Sequence, residues 1–259
     1  MCVIVWRWTP DEELVLSMWA NRDEWLSRPS LPLAPWLDNP ALVGGRDLQA
    51  GGAWLVFNQT EATLAALTNI RESKPEGDSQ AIRPSRGLLT VQALQDGSQN
   101  ANRASFSDFA GFHLIRFAAR LKTASWITHD EAQSGPISTG FGSVSNGPRK
   151  AQWPKQLVLL QAMQNAKDFS AKAWCQAGWE ALSDRRAPNI QDLPDTGLGL
   201  ARETELGSVF VNTATYGTRQ STILRLWAHG AAQIWERTWV GHAATLTYSE
   251  RFWSNAQST

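Results

Sequence analysis

The chain has 259 residues, with 24 Lys and Arg against 24 Asp and Glu, and neither sign gathers into a long block. That balance leaves no electrostatic footprint for nucleic acid or an anionic membrane surface, so the partners expected are small or neutral molecules. Two cysteines, Cys2 and Cys175, make neither a disulfide framework nor a metal-ligand spacing, and no apolar run reaches membrane-spanning length. Pro10-Asp11-Glu12-Glu13 interrupts the first apolar stretch before it could serve as a secretory leader, and a single cytoplasmic domain over residues 1–259 is expected. Fourteen tryptophans against two tyrosines, several spaced by two as in Trp6-Arg7-Trp8, put large rings on one sheet face, either as core or as the lining of an aromatic pocket.

Residues 1–8 are a β-branched and aromatic run that reads as a strand beginning at the chain start. Cys2 has two readings there. It is a small hydrophobe on a buried strand, or, once Met1 is trimmed, a nucleophilic thiol and a titratable α-amine on one residue. An α-amine with a pKa of about 8 can take the thiol proton directly or through one water.

After a turn at Pro10-Asp11-Glu12, residues 14–20 form a second strand, antiparallel to the first, that ends in Asn21-Arg22-Asp23-Glu24. Beside the first strand these four polar residues bring a guanidinium and two carboxylates toward the chain start. An arginine can fork onto a thiolate or a substrate carboxylate, and a carboxylate can orient an ammonium. Residues 25–40, with Pro29, Pro32, Pro35 and Pro40, read as a loop able to cover a site. Gly44-Gly45-Arg46-Asp47 and Gly51-Gly52 suit close backbone approach, and without a following Lys-Ser or Lys-Thr they are no phosphate-binding loop.

Residues 53–57 and 63–69 read as a hairpin closing at Asn69, residues 70–85 as a surface linker, and residues 86–94 as an amphipathic helix. Strands follow at 112–117 and 125–129. Residues 152–169 carry Trp153, Leu157, Leu160, Met163 and Ala166 at helical period, with Pro154 in the first turn, and Ser170 caps a second helix through Leu182. A linker or lid is expected over 183–204, then strands at 208–212, 221–227, 232–239 and 243–252.

Met1-Cys2, Asn21-Arg22-Asp23-Glu24, Gly44-Gly45-Arg46-Asp47, Gly51-Gly52-Ala53-Trp54-Leu55, Leu67-Thr68-Asn69, Ser85-Arg86-Gly87-Leu88, Gly111-Phe112, Ser145-Asn146-Gly147, Trp153-Pro154-Lys155 and Tyr216-Gly217-Thr218-Arg219 fall in the order seen in the NRDE family. The resemblance spans nearly the whole chain, and the family includes the transport and Golgi organisation proteins of eukaryotes. It is similar to N-terminal nucleophile hydrolases of the penicillin V acylase and bile-salt hydrolase group, which implies an α+β fold built as a four-layer αββα sandwich. On that comparison Cys2 matches the nucleophile, and Arg22 and Asp23 match an arginine and an aspartate beside it, with Asp23 binding the α-amine. Asn69 and Asn146 resemble the asparagines of the oxyanion region, and Arg219 resembles a late arginine near the nucleophile. Each asparagine also reads as a turn residue capping a strand. Two departures stand out: Ala53 and Val56 replace a threonine and a glycine, and His113 replaces an asparagine.

The resemblance also implies a second function class, because family proteins have been linked to haem trafficking and to lipid or acyl-coenzyme A metabolism. No Cys-x-x-Cys-His attachment motif is present, and His113, His129, His229 and His242 read as surface or hydrogen-bonded core histidines. The expected activity is Cys2-dependent hydrolysis of a linear amide or acyl bond on a small substrate, with no cofactor required. The alternative is a non-enzymatic carrier holding haem or an acyl lipid in the same pocket.

Overall fold

The computed structural model describes residues 2–71, 83–95, 106, 108–129, 133–241 and 245–255. Of the expectations above, His242 and parts of the 70–85 linker and the 243–252 strand lie outside the described residues. The fold is α+β, with two antiparallel sheets.

Alternation along the first strand, β1 (Cys2–Trp8), decides the layout. Cys2, Ile4, Trp6 and Trp8 point into a core shared by the two sheets, while Val3 and Val5 point to the opposite face, under helices. β1 pairs with β2 (Leu14–Trp25) on one side and β10 (Gly140–Val144) on the other. β2 pairs in turn with β11 (Tyr216–Trp227), which continues through β12 (Ala232–Val240) to β13 (Thr247–Ser254), completing a six-stranded sheet. The seven-stranded sheet runs in chain order: β3 (Ser30–Pro35), β4 (Leu42–Asp47), β5 (Leu55–Asn58), β6 (Thr63–Asn69), β7 (Phe112–Ala118), β8 (Thr123–Thr128) and β9 (Gln133–Pro136).

Four α-helices occur among the described residues: α1 (Gly87–Gln95), α2 (Pro154–Asn165), α3 (Ala171–Leu182) and α4 (Leu200–Gly207). Leu89, Ala93 and Leu94 of α1 join Val56, Ala65, Leu67 and Leu114 in one cluster. Leu159 and Met163 of α2 and Trp174, Trp179 and Leu182 of α3 join Val3, Val5, Trp19 and Ile223 in another. Pro154 opens α2, and the Ser170 hydroxyl accepts from the Ala173 N–H at the start of α3, as the sequence implies.

Several expectations are corrected. Asn21-Arg22-Asp23-Glu24 does not leave the strand as a polar turn but forms the last part of the twelve-residue β2, which runs on to Trp25, and residues 21–23 are buried. Asn21 and Arg22 pair with β1, all four residues pair with β11, and β11 is a partner that no local signal announces. The proline-rich 25–40 segment holds β3, which Pro32 and Pro35 confine to a sheet edge with an irregular register. The 183–204 linker ends in α4, and 208–212 forms no strand, contributing only an isolated bridge from Asn212 to Gly217. The edge strands β9 and β10 were not anticipated from their glycine-rich sequence. No helix among the described residues is long and apolar enough to cross a membrane.

Candidate functional site

Cys2 stands opposite Arg22 in the β1–β2 ladder, so their side chains share a face. That face opens into a cavity of about 550 Å³ whose lining includes Cys2, Arg22, Asp23, Asn69, Trp54 and Gln220. Burial pushes the Cys2 thiol up and the Asp23 charge adds to this, while the Arg22 guanidinium and the Asp23 backbone N–H oppose it. Arg22 reaches Glu24 at 3.4 Å, and Glu24 lies 3.9 Å from Arg28, which in turn pairs with Asp47 at 2.6 Å.

The chain start is pinned by the segment after β10. The Cys2 backbone N–H donates to Asn146 Oδ1 at 3.1 Å, and the Ser145 hydroxyl donates to the Cys2 carbonyl at 2.8 Å. Asn146 Nδ2 donates to the Asn69 carbonyl at 2.7 Å, and the Thr68 hydroxyl donates to the Ser145 carbonyl at 2.6 Å. Both ends of the Asn146 amide are therefore occupied in tying Cys2 to the end of β6. Its place is that of a clamp, and of the two asparagines it is Asn69 that lines the cavity.

Strand alternation splits the tetrapeptide. Arg22 and Glu24 share the Cys2 face, whereas Asn21 and Asp23 turn to the helices. Asn21 Nδ2 donates to the carbonyls of Leu182 and Val209 at 2.8 and 3.0 Å, fastening β2 to the end of α3 and to the approach to β11. Asp23 accepts from the Thr218 hydroxyl at 2.7 Å and lies 3.9 Å from Lys155 Nζ, with both carboxylate and ammonium buried. Burial pushes the Asp23 carboxyl up, against Lys155 and the Thr218 hydrogen bond. Burial likewise pushes Lys155 down, against Asp23.

Of the six residues picked from sequence, the structure brings Cys2, Arg22, Asp23, Asn69 and Asn146 together and leaves Arg219 apart. Arg219 sits at a bulge between Thr218 and Gln220, gives its Nη1 to the carbonyls of Trp25, Leu26 and Arg28, and lines a different cavity. The bulge puts Gln220 in register with Arg22 and on the Cys2 cavity wall. Gly45 lies close by: a Cβ there would come within 2.7 Å of Gln220 Nε2 and 3.0 Å of the Leu31 carbonyl oxygen. Sequence reasoning missed Lys155, Thr218 and Gln220 as site residues, although Lys155 and Thr218 stand inside motifs it had marked.

A match to the family model described as Transport and Golgi organisation 2 covers residues 1–241. The chain belongs to this family. Among its relatives, the transport and Golgi organization protein 2 homolog of Homo sapiens is 28% identical, covering 96% of this chain and 98% of that protein. The homolog of Mus musculus is 26% identical over 92% of this chain and 93% of its own length. The family's tetrapeptide is thus the stretch of β2 whose two faces carry, respectively, the cavity wall and the buried Asp23–Lys155 pair.

None of the described histidines, His113, His129 and His229, lines the Cys2 cavity. His113 borders a second cavity of about 410 Å³, lined also by Trp6, Trp126 and Phe141, and its Nε2 is engaged with the Gly147 carbonyl at 2.8 Å. His129 packs against the Phe112 ring. Among the described residues no three His, Cys, Asp or Glu side chains come together as a metal site.

Proposed function

We propose that the protein hydrolyses an amide or related acyl bond of a small substrate through Cys2, on a fold of the N-terminal nucleophile hydrolase kind. The observation that carries this reading is the placement of Cys2 at the chain start, facing a cavity it shares with Arg22, Asp23 and Asn69, with its backbone clamped by Ser145 and Asn146. Two further features support it. One core cluster draws on both sheets, α1 packs with the seven-stranded sheet and α2 and α3 with the six-stranded one, which supports reading the fold as a layered sandwich of that kind. The cavity wall is polar and rich in arginine, suited to a small substrate with acceptor groups.

The chemistry follows from the residues. Once Met1 is removed, the freed α-amine of Cys2 takes the thiol proton, and the sulfur bonds to the substrate carbonyl carbon. The carbonyl electron pair moves to oxygen, and in this reading Asn69, a residue of the cavity lining, donates its amide to stabilise it. Collapse expels the leaving amine, which receives the proton from the Cys2 ammonium, and a thioester remains. Water, giving its proton to the same amine, attacks the thioester, releasing the carboxylic acid and restoring the thiol. Asp23 holds the ammonium, and Asn146 holds the nitrogen in place.

Intact mass of the native protein before and after iodoacetamide, with Cys2→Ala as control, tests the reading. The expected result is a mass lacking Met1 and an adduct that disappears in Cys2→Ala. Cys175 is half buried and supplies an independent adduct as internal reference. Retained Met1, or an adduct count unchanged by Cys2→Ala, overturns the hydrolase reading, and haem and fatty-acid titrations then test carriage instead.

A further inference from the structure

Lys155 is a cation in an expensive position. Its side chain is 1% exposed, its Nζ makes no hydrogen bond among the described residues, and its ion-pair partner, Asp23 Oδ2, is 3.9 Å away. A desolvated ammonium persists inside a protein only where other charges compensate it. The groups that face it come from four directions: Cys2 from β1, Asp23 from β2, Arg71 from the segment after β6, and Glu203 from α4. Arg71 pairs with Glu203 and lies over the Trp153 ring at 4.9 Å, and Thr196 binds both Arg71 and Glu203. From β11 Thr218 holds the other oxygen of Asp23.

Around Lys155 two cations thus balance two carboxylates, and Arg22 stands as a further cation on the Cys2 side. Ionising Cys2 adds one negative charge at a buried position beside this cluster. Without Lys155 the Asp23 charge would stand unbalanced on its face of β2 and would oppose ionisation of the thiol more strongly.

We propose that Lys155 is a positioning residue for Cys2: held against Asp23 from the helical side of the six-stranded sheet, its ammonium is the buried counter-charge that offsets the Asp23 carboxylate and so lets Cys2 become a thiolate beside it. This rests on the reading of Cys2 as a reactive thiol and needs no knowledge of the substrate. Asp23 relays the effect, because its carboxylate meets Lys155 on one face of β2 while its backbone N–H meets the Cys2 sulfur. Lys155 touches neither sulfur nor substrate in this scheme. Its part is to set where the protons reside.

The test is the rate of Cys2 alkylation by iodoacetamide as a function of pH, read by intact mass and peptide mapping on the full chain, with Cys175 as internal reference. In Lys155→Met the midpoint for Cys2 is expected to move up by about one pH unit, which slows alkylation at neutral pH about tenfold. Lys155→Gln, which keeps a donor toward Asp23 without the charge and so guards against a misfolded Met variant, is expected to move it similarly. Lys155→Arg is expected to restore most of the rate, and the Cys175 profile is expected to stay put in all three. A folded Lys155→Met or Lys155→Gln protein whose Cys2 profile matches wild type overturns this proposal alone. A wild-type Cys2 that takes no label at any pH overturns it together with the hydrolase reading.

Discussion

The two ends of β1 lie on one strand and one face, yet they do different work. At the far end Trp6 and Trp8 pack against Phe117, at centroid distances of 5.7 and 5.4 Å, in a core of apolar side chains drawn from both sheets. At the near end Cys2 is equally buried, but its neighbours are a guanidinium, a carboxylate and two asparagines held in place by hydrogen bonds. Apolar burial stabilises wherever it occurs, whereas buried polar groups stabilise only when each finds a partner. One end should therefore govern whether the chain folds, and the other what its thiol can do.

The largest effect that would sharpen this contrast is at the apolar end. Trp8→Ala leaves a ring-sized void in the shared core and is expected to cost about 3–5 kcal/mol in urea denaturation, while Cys2 in the folded fraction keeps its labelling profile.

Next comes a pH effect from the buried polar residues of the same sheet. Burial raises the Glu236 carboxyl to about 7 against an ordinary 4.5, opposed by the Leu33 N–H and Thr238 hydroxyl that it accepts. The folded state thus holds this proton more tightly than the unfolded chain. Its contribution is fully present below the unfolded pKa of 4.5 and is lost as pH rises through the folded value of about 7. Wild type is expected to lose on the order of 2–3 kcal/mol from this group between those limits, and Glu236→Gln should flatten that part of the stability curve.

Asn21→Ala removes the donor to Leu182 and Val209 and is expected to cost about 1–3 kcal/mol by the same denaturation assay, since two buried carbonyls lose their partner. If it costs nothing, the first position of the tetrapeptide does not fasten β2 to α3. The smallest stability effect is expected at the chemical end: Cys2→Ala should change unfolding free energy by no more than about 1 kcal/mol while abolishing Cys2 labelling. A large loss of stability there would break the contrast and return Cys2 to the role of a core residue.

Much of this layout can be read locally. The β-branched alternation of β1, the hairpin of β5 and β6, the proline at the start of α2 and the serine before α3 are each specified by neighbouring residues, and each appears where its pattern places it. Local signals fail where the decisive partner is distant in sequence. Asn21-Arg22-Asp23-Glu24 has the polarity of a turn, and only pairing with β11, roughly two hundred residues on, makes it part of a buried strand. Arg219 and Gln220 are a similar case, because a bulge whose position no periodicity reveals exchanges the side chain that faces Cys2.

The sequence by itself determined the family, the strand that carries Cys2 and four residues that gather around it, because motif identity and short-range periodicity are local properties. The tertiary structure alone decided that Asn146 is a clamp, that Gln220 and not Arg219 borders the cavity, and that Lys155 approaches Asp23 through the other face of the sheet. The physical reason is that burial and charge pairing depend on which distant segments share a face, and a buried lysine has no signature in the residues beside it.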